Sequence, residues 1–244
     1  MEVEDVGTVK AIYRYPVKSM GGESLSTATL RWPGIDGDRQ YAFYRSVDTS
    51  RFPWLTGRGV SELVTYSARY QEPDDPRRSG VRITTDDGEY EVGDPHLRER
   101  LSRAAGEDVR LLQVGRGTFD QLPVSVLSTA TLDLVAARCA HPIDLRRFRI
   151  NILVSTADGE AARETNWIGG TLVFGTAVNP ARLRVSVAID RCVMITIDPN
   201  TGARDPSILR RVVEDFANEI GVRCVTETTG TIAVGDAVRL IRPE

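Results

Sequence analysis

Asp190-Arg191-Cys192-Val193-Met194-Ile195-Thr196-Ile197-Asp198-Pro199-Asn200-Thr201-Gly202 is the stretch around which the rest of the chain falls into order. It follows an alternating run, Leu183, Val185, Val187 and Ile189, with the period of two of a half-buried strand. Where that strand ends a cysteine stands beside an arginine, and a polar turn closes the stretch. A thiol next to a fixed cation is favoured as thiolate, the form that binds soft metals and attacks electrophiles. Read alone, the same residue is more simply a buried, inert core cysteine. Its role depends on what the rest of the chain brings to it.

At 244 residues there is length for one large domain or two small ones. Hydrophobic residues at 41% and charged residues at 27% are the proportions of a soluble globular protein. A net charge of −3 gives no general drive towards nucleic acid or an anionic membrane. Met1 to Asp5 is acidic, without a cationic-then-apolar signal pattern, and no apolar run approaches the roughly 18 residues that span a bilayer. Cys139, Cys192 and Cys224 are odd in number and show no C-x-x-C spacing, which argues against a disulfide framework and a structural zinc site. The expectation is a reduced, cytoplasmic protein.

Further from the opening stretch, Val9, Ala11, Tyr13 and Tyr15 alternate as a strand that ends at Pro16, with Val17 to Gly22 as a loop. Leu25 to Thr29 and the aromatic-rich Gln40 to Val47 predict further strands about a turn at Trp32 to Arg39. Gln71 to Gly80 reads as a solvated loop, and Asp87-Gly88 centres a hairpin over Val81 to Val92. Asp94-Pro95 starts a helix closed by Gly106, Ser128 caps a second, and Asp205-Pro206 starts a third that runs through Ile220 to a stop at Gly221. Val109 to Val114, Phe148 to Ser155, Thr171 to Phe174, Arg182 to Ala188, Val222 to Val225, Thr231 to Val234 and Ala237 to Ile241 predict strands. Gly115-Arg116-Gly117 marks an internal boundary. The expected fold is mixed and β-rich: a closed or nearly closed β-barrel decorated with helices over 118–244, and a smaller N-terminal α+β or β-barrel-like domain over 1–117 whose first strands can pack into the barrel.

Several chemistries lack their parts. The chain has no G-x-x-x-x-G-K-[ST] phosphate loop, no G-x-G-x-x-G and no G-x-S-x-G elbow. His96 and His141 are too few to build a His metal centre and read as surface or packing residues. Glu160 with Glu164 reads as a solvated face rather than an acid/base dyad. Trp167 either lines a substrate entrance or covers the core, the core being preferred.

Four elements in order resemble one family. Tyr15-Pro16-Val17-Lys18-Ser19, Phe148-Arg149-Ile150-Asn151-Ile152, Arg191-Cys192 with Thr196-x-Asp198-Pro199-x-Thr201-Gly202, and Gly230-x-Ile232-x-Val234-Gly235-Asp236-x-Val238 are similar to motifs of the MOSC family (molybdenum cofactor sulfurase C-terminal domain) with its N-terminal companion domain. Ile150 replaces a usual proline, which alters backbone restraint; Ile195 stands where the family often has the first of two threonines. Members with this two-part layout include amidoxime-reducing components and bacterial reductases of N-hydroxylated bases.

The resemblance implies a molybdenum cofactor, Mo-molybdopterin, with Cys192 as the metal's protein ligand. Lys18, Ser19, Arg39, Arg149, Asn151 and Arg191 match as candidates to hold its phosphate and pterin, arginines as planar forks and Lys18 as a point charge. Arg39 also reads as one half of a surface ion pair, and Asp198 either orients a group near the metal or stabilises the turn before Pro199. The implied activity is two-electron reduction of hydroxylamine, amidoxime or N-oxide compounds, with the oxygen leaving as water. No cluster-type cysteine spacing is present, so a separate donor, a ferredoxin or flavin reductase, is expected, with neither nucleic acid nor membrane as partner. Two alternatives stay open: a sulfur carrier using a Cys192 persulfide, and a protein that binds the cofactor without catalysis. A family-level association with pyridoxal phosphate comes with the resemblance as well.

Overall fold

Alternation at the N-terminus is realised as β1 (Glu2–Arg14), in which Val9 and Ile12 point into a core. The structure, a computed structural model, describes residues 2–139, 142–157 and 163–242; His141 and Glu160 lie outside them. After β1 come β2 (Glu23–Leu25), β3 (Thr27–Arg31), β4 (Gly34–Ile35), β5 (Tyr41–Arg45), β6 (Ser67–Tyr70), β7 (Val81–Thr84) and β8 (Glu89–Glu91). Helix α1 (Pro95–Ala105) and β9 (Val109–Gln113) follow, then β10 (Val124–Ser128), α2 (Thr129–Arg138), β11 (Ile152–Ser155), β12 (Thr171–Phe174) and β13 (Ala181–Asp190). The chain ends with α3 (Pro206–Phe216), β14 (Glu219–Thr228), β15 (Gly230–Ala233) and β16 (Ala237–Arg242).

Seven strands close into a barrel in the order β11-β10-β14-β13-β12-β16-β1, with β1 pairing back onto β11. Closure leaves the barrel itself without an open edge. Among the described strands only the β10–β11 pairing is parallel, and β2 hangs on β1. Val126, Ile152, Leu172, Leu183, Val222 and Leu240 fill the interior together with Trp167, which is buried in this core. Residues on the outer face of the same strands, Leu127, Leu153 and Ile220, pack under Val135 of α2 and Ile208, Val212 and Phe216 of α3. A separate core gathers Val17, Met20, Phe43, Tyr66, Ile83, Leu97 and Leu101 beneath β5 to β9 and α1. Among the described residues no helix is long and apolar enough to cross a membrane.

The expected hairpin forms between β7 and β8, and α1 has Asp94 as its N-cap and left-handed Gly106 as its stop. His96 is exposed on α1. Three readings change. The segment from Phe148 is strand only from Ile152, because Leu145–Phe148 form a 3-10 turn and Arg149 takes φ 51. Helix α3 stops at Phe216: Ala217 (φ 52) and Asn218 (φ 66) reverse the chain, so Ile220 belongs to β14. Glu164 is no solvated face; it is fully buried at 0% exposure. Strand β10, all five residues buried, has no counterpart in the sequence reading, its two-residue alternation being too short to stand out before Ser128.

Candidate functional site

A cavity of about 320 Å³ lies between barrel strands β10, β13 and β14 and the loops after β1 and β4. Lys18, Ser19, Arg39, Arg149, Asn151, Arg191 and Cys192 all line it, although they are spread over more than 170 positions of sequence. Asp198 does not. Its Oδ1 accepts from Asn200 N (2.9 Å) and Thr201 N (3.0 Å), and its Oδ2 from Arg147 (2.8 Å), so it closes the turn behind the cysteine. Burial alone would raise its carboxyl, but those N–H groups and Arg147 hold it below the usual range.

Backbone strain concentrates here. Ser19 (φ 68), Arg39 (φ 49) and Arg149 (φ 51) are three of the five non-glycine residues with positive φ among the described residues, and all three face the cavity. A side-chain-bearing residue adopts that region only where its surroundings over-determine it. Here the freed carbonyls are taken by cations: Arg149 O accepts from Arg39 (2.9 Å), Phe148 O from Arg191 (2.8 Å) and Met20 O from Arg149 (2.6 Å).

Tyr15 is the plate on which two of these cations rest. Arg39 lies 4.7 Å and Arg149 4.5 Å from its ring centre, and its hydroxyl donates to Ile150 O at 3.0 Å. Burial pushes the phenol up to about 12, so it stays a neutral donor. Arg39 also pairs with buried Asp38, which accepts from Tyr15 N (2.7 Å) and Asn151 Nδ2 (3.1 Å). The other end of Asn151 accepts from Ser125 N and Oγ (3.1 and 2.9 Å). Arg39 is therefore half of an ion pair and a cavity wall at once, and Asn151 is bonded to protein at both ends.

Lys18 donates to Thr118 O (2.7 Å) and Asp120 Oδ1 (2.5 Å), keeping one of its three N–H groups. Burial lowers its pKa, with Asp120 opposing. Arg149, Arg191 and Arg223 differ from the other cations. Each carries a buried nitrogen, Nη2 in the first two and Nε in the third, with no hydrogen-bond partner among the described residues. Burial and then the neighbouring Arg39 pull Arg149 down to about 10; burial and then Arg223 pull Arg191 down to about 9, with Glu164 opposing. Buried donors without acceptors cost free energy, and the three residues that bear them all line the cavity.

The thiol completes the set. Cys192 is free and half-buried at the start of the 3-10 turn Val193–Thr196, whereas Cys139 and Cys224 are buried. Among the described residues no group of three His, Cys, Asp or Glu side chains could hold a metal ion, so a metal beside Cys192 must bring most of its own ligands. Six arginines and one lysine face two aspartates across the cavity, in a chain whose net charge is negative. The sequence reading missed Arg58, Arg147 and Arg223. Arg223 carries a signal, a cation inside the apolar run Val222 to Val225; Tyr15 reads in sequence as a strand residue and part of a motif, with nothing to show that two cations rest on its ring.

The family described as MOSC domain matches residues 102–239, and the MOSC N-terminal beta barrel domain matches residues 6–109. Mitochondrial amidoxime-reducing component 1 of Homo sapiens is 29% identical over 98% of this chain and 84% of its own length; the Mus musculus protein is 25% identical over the same shares. The crystal structure of the YUAD protein from Bacillus subtilis has the same fold, with a TM-score of 0.54 at 14% identity, covering 100% of this chain and 99% of that one. A seven-stranded barrel, a thiol at the end of β13 and motif arginines gathered about it thus meet in a chain that belongs to the MOSC domain family.

Proposed function

We propose that this protein is a molybdenum-cofactor-dependent reductase of N-hydroxylated compounds, with Cys192 as the metal's protein ligand. The observation that carries it is the gathering of six arginines and one lysine in one cavity with a half-buried free thiol. That donor set fits an anionic, sulfur-rich cofactor: planar forks for a phosphate and pterin edges, and a soft thiolate for the metal. The amidoxime-reducing components among its relatives favour the same substrate class.

When bound, the cofactor supplies two-electron chemistry that protein side chains lack. The chain's own residues do the rest. Arg149, Arg191 and Arg223 would hold the anion; Lys18, buried and paired with Asp120, would add positive charge beside them. Tyr15 and Asn151 fix Arg39 and its neighbours so that the donors are set before the ligand arrives. The overall conversion is R–NH–OH + 2 e⁻ + 2 H⁺ → R–NH₂ + H₂O. A separate ferredoxin or flavin reductase would supply the electrons.

The test is molybdenum analysis and oxidised-pterin fluorescence on protein made in a cofactor-competent host, native against Cys192→Ser. The substitution is expected to remove at least nine-tenths of the bound molybdenum; equal metal and equal reductase activity would remove Cys192 from the site. Turnover of substrate with NADH alone would overturn the need for a donor protein. A Cys192 adduct heavier by about 32 Da with no molybdenum would replace this reading with sulfur transfer. Full metal loading without reduction of any hydroxylamine or amidoxime would leave a cofactor-binding protein.

A further inference from the structure

The buried carboxylate of Glu164 lies outside the cavity, yet it is joined to the cysteine's neighbour by a single peptide unit. The Ile220–Gly221 peptide is bonded at both ends: its N–H donates to Glu164 Oε1 at 2.7 Å, and its carbonyl accepts from Arg191 Nε at 2.7 Å. A carboxylate on the N–H polarises the peptide and strengthens its carbonyl as an acceptor. The guanidinium held this way also donates to Phe148 O, and its residue precedes Cys192. Gly221 is part of the device. At φ +80 it occupies left-handed space, and a Cβ there would stand 3.0 Å from Arg191 Nη2 and 3.1 Å from Val126 O.

The other oxygen of Glu164 is anchored independently. Oε2 accepts from Ser128 N (3.0 Å), Ser128 Oγ (2.6 Å) and Thr131 Oγ1 (2.6 Å), at the N-terminus of α2 where a carboxylate is favoured. A group that served only to fasten α2 would need no more than this oxygen.

We propose that Glu164 is a positioning residue for the cavity: through the Ile220–Gly221 peptide it fixes Arg191, and through Arg191 the Arg191–Ile195 segment that presents Cys192. The role in turnover rests on the reading of Cys192 given above, but the device itself is a property of the chain and is tested without cofactor. The experiment is amide hydrogen exchange, followed by mass spectrometry, on the full chain made without molybdenum. Variants are Glu164→Gln, Gly221→Ala and Thr131→Val, and the exchange peptide is the one spanning Arg191 to Ile195.

Glu164→Gln can accept from Gly221 N or from Ser128 N with its single carbonyl oxygen, not both, and is expected to speed exchange in that peptide about tenfold. Gly221→Ala, which pushes Arg191 while leaving the carboxylate in place, is expected to do the same and carries the test should Glu164→Gln not fold. Thr131→Val removes a bond of the other oxygen and is expected to speed exchange in α2 alone. Adding Glu164→Gln to Arg191→Lys is expected to give no further increase, since the effect passes through the guanidinium. Unchanged exchange at Arg191 to Ile195 in a folded Glu164→Gln, or in Gly221→Ala should Glu164→Gln not fold, would overturn the proposal, as would equal acceleration by Thr131→Val. Molybdenum loading plays no part in these readouts, so failure here is distinct from failure of the proposed function.

Discussion

A cation kept in place without a full set of acceptors costs stability, and Arg149 shows this at the scale of one residue; under the proposed function that cost is retained for binding. One of its terminal nitrogens donates to Met20 O while the other has no partner among the described residues. Burying a charge that has no ion-pair partner is costly, and an apolar side chain of similar length removes that cost. Arg149→Met is therefore expected to raise the thermal midpoint by a few degrees and to lower molybdenum retention at least tenfold, measured on the same preparations. The pH dependence has a definite sign. The folded pKa, about 10, lies below the unfolded value of roughly 12.5, so between them the unfolded chain binds more protons and native stability climbs with pH. The advantage of the Met variant should be full below pH 10 and shrink above it, which midpoints at pH 8 and 10.5 will read.

Among local elements, the turn from Asp198 to Gly202 carries the cysteine loop, and its chemistry is local enough to be seen in sequence. Asp-Pro-x-Thr-Gly offers a carboxylate, a rigid φ and a left-handed glycine in the order that a side-chain-closed turn requires. Asp198→Ala is expected to cost about 1 kcal/mol at pH 7, the typical value of such side-chain-to-backbone caps. Because the folded carboxyl is held below its unfolded pKa, that contribution is present above the usual carboxylate range and is lost as pH falls through it. Urea midpoints of native and variant should therefore differ at pH 7 and converge in acid. Molybdenum retention should fall far less than for Cys192→Ser, since Asp198 supports the loop from outside the cavity. Element ends were less legible where the deciding residue is unusual: Ala217 and Asn218 reverse the chain after α3 without glycine, so the apolar spacing out to Ile220 reads falsely as one more turn of helix.

Closure governs the molecule as a whole. β1 bonds β16 along its first half and β11 along its second, with register shifts at Asp5/Gly7 and Val9/Ala11, and continues directly to Lys18 at the cavity. Gly7 sits at φ +145 with Ser155 O only 1.9 Å from where a Cβ would be. Gly7→Ala must open that seam, and a loss of about 3 kcal/mol or more is expected. For a chain of this size that lowers the thermal midpoint by roughly 6–12 °C. Because β1 positions the loop that bears Lys18, cofactor content should fall along with it. A midpoint within 2 °C of native would show that the seam tolerates the methyl group.

Alternation, hairpin and helix-capping signals made the β-rich architecture and most of its strands readable from sequence, because each depends on neighbours within a few residues. The motif residues Lys18, Arg149 and Arg191-Cys192 were legible as types. What only the tertiary structure decided is how they share a space: which guanidinium nitrogens remain unpartnered, that Asn151 is occupied at both ends, that Asp198 lies behind the cavity wall, that Arg223 belongs to it and that Glu164 is buried. Those facts follow from barrel closure, which joins Tyr15, Arg39 and Arg149 about one ring and Glu164 to Arg191 through one peptide. Local spacing carries no information about contacts made by strands more than a hundred residues apart, where burial and competition for a limited number of acceptors settle which donors are left for a ligand.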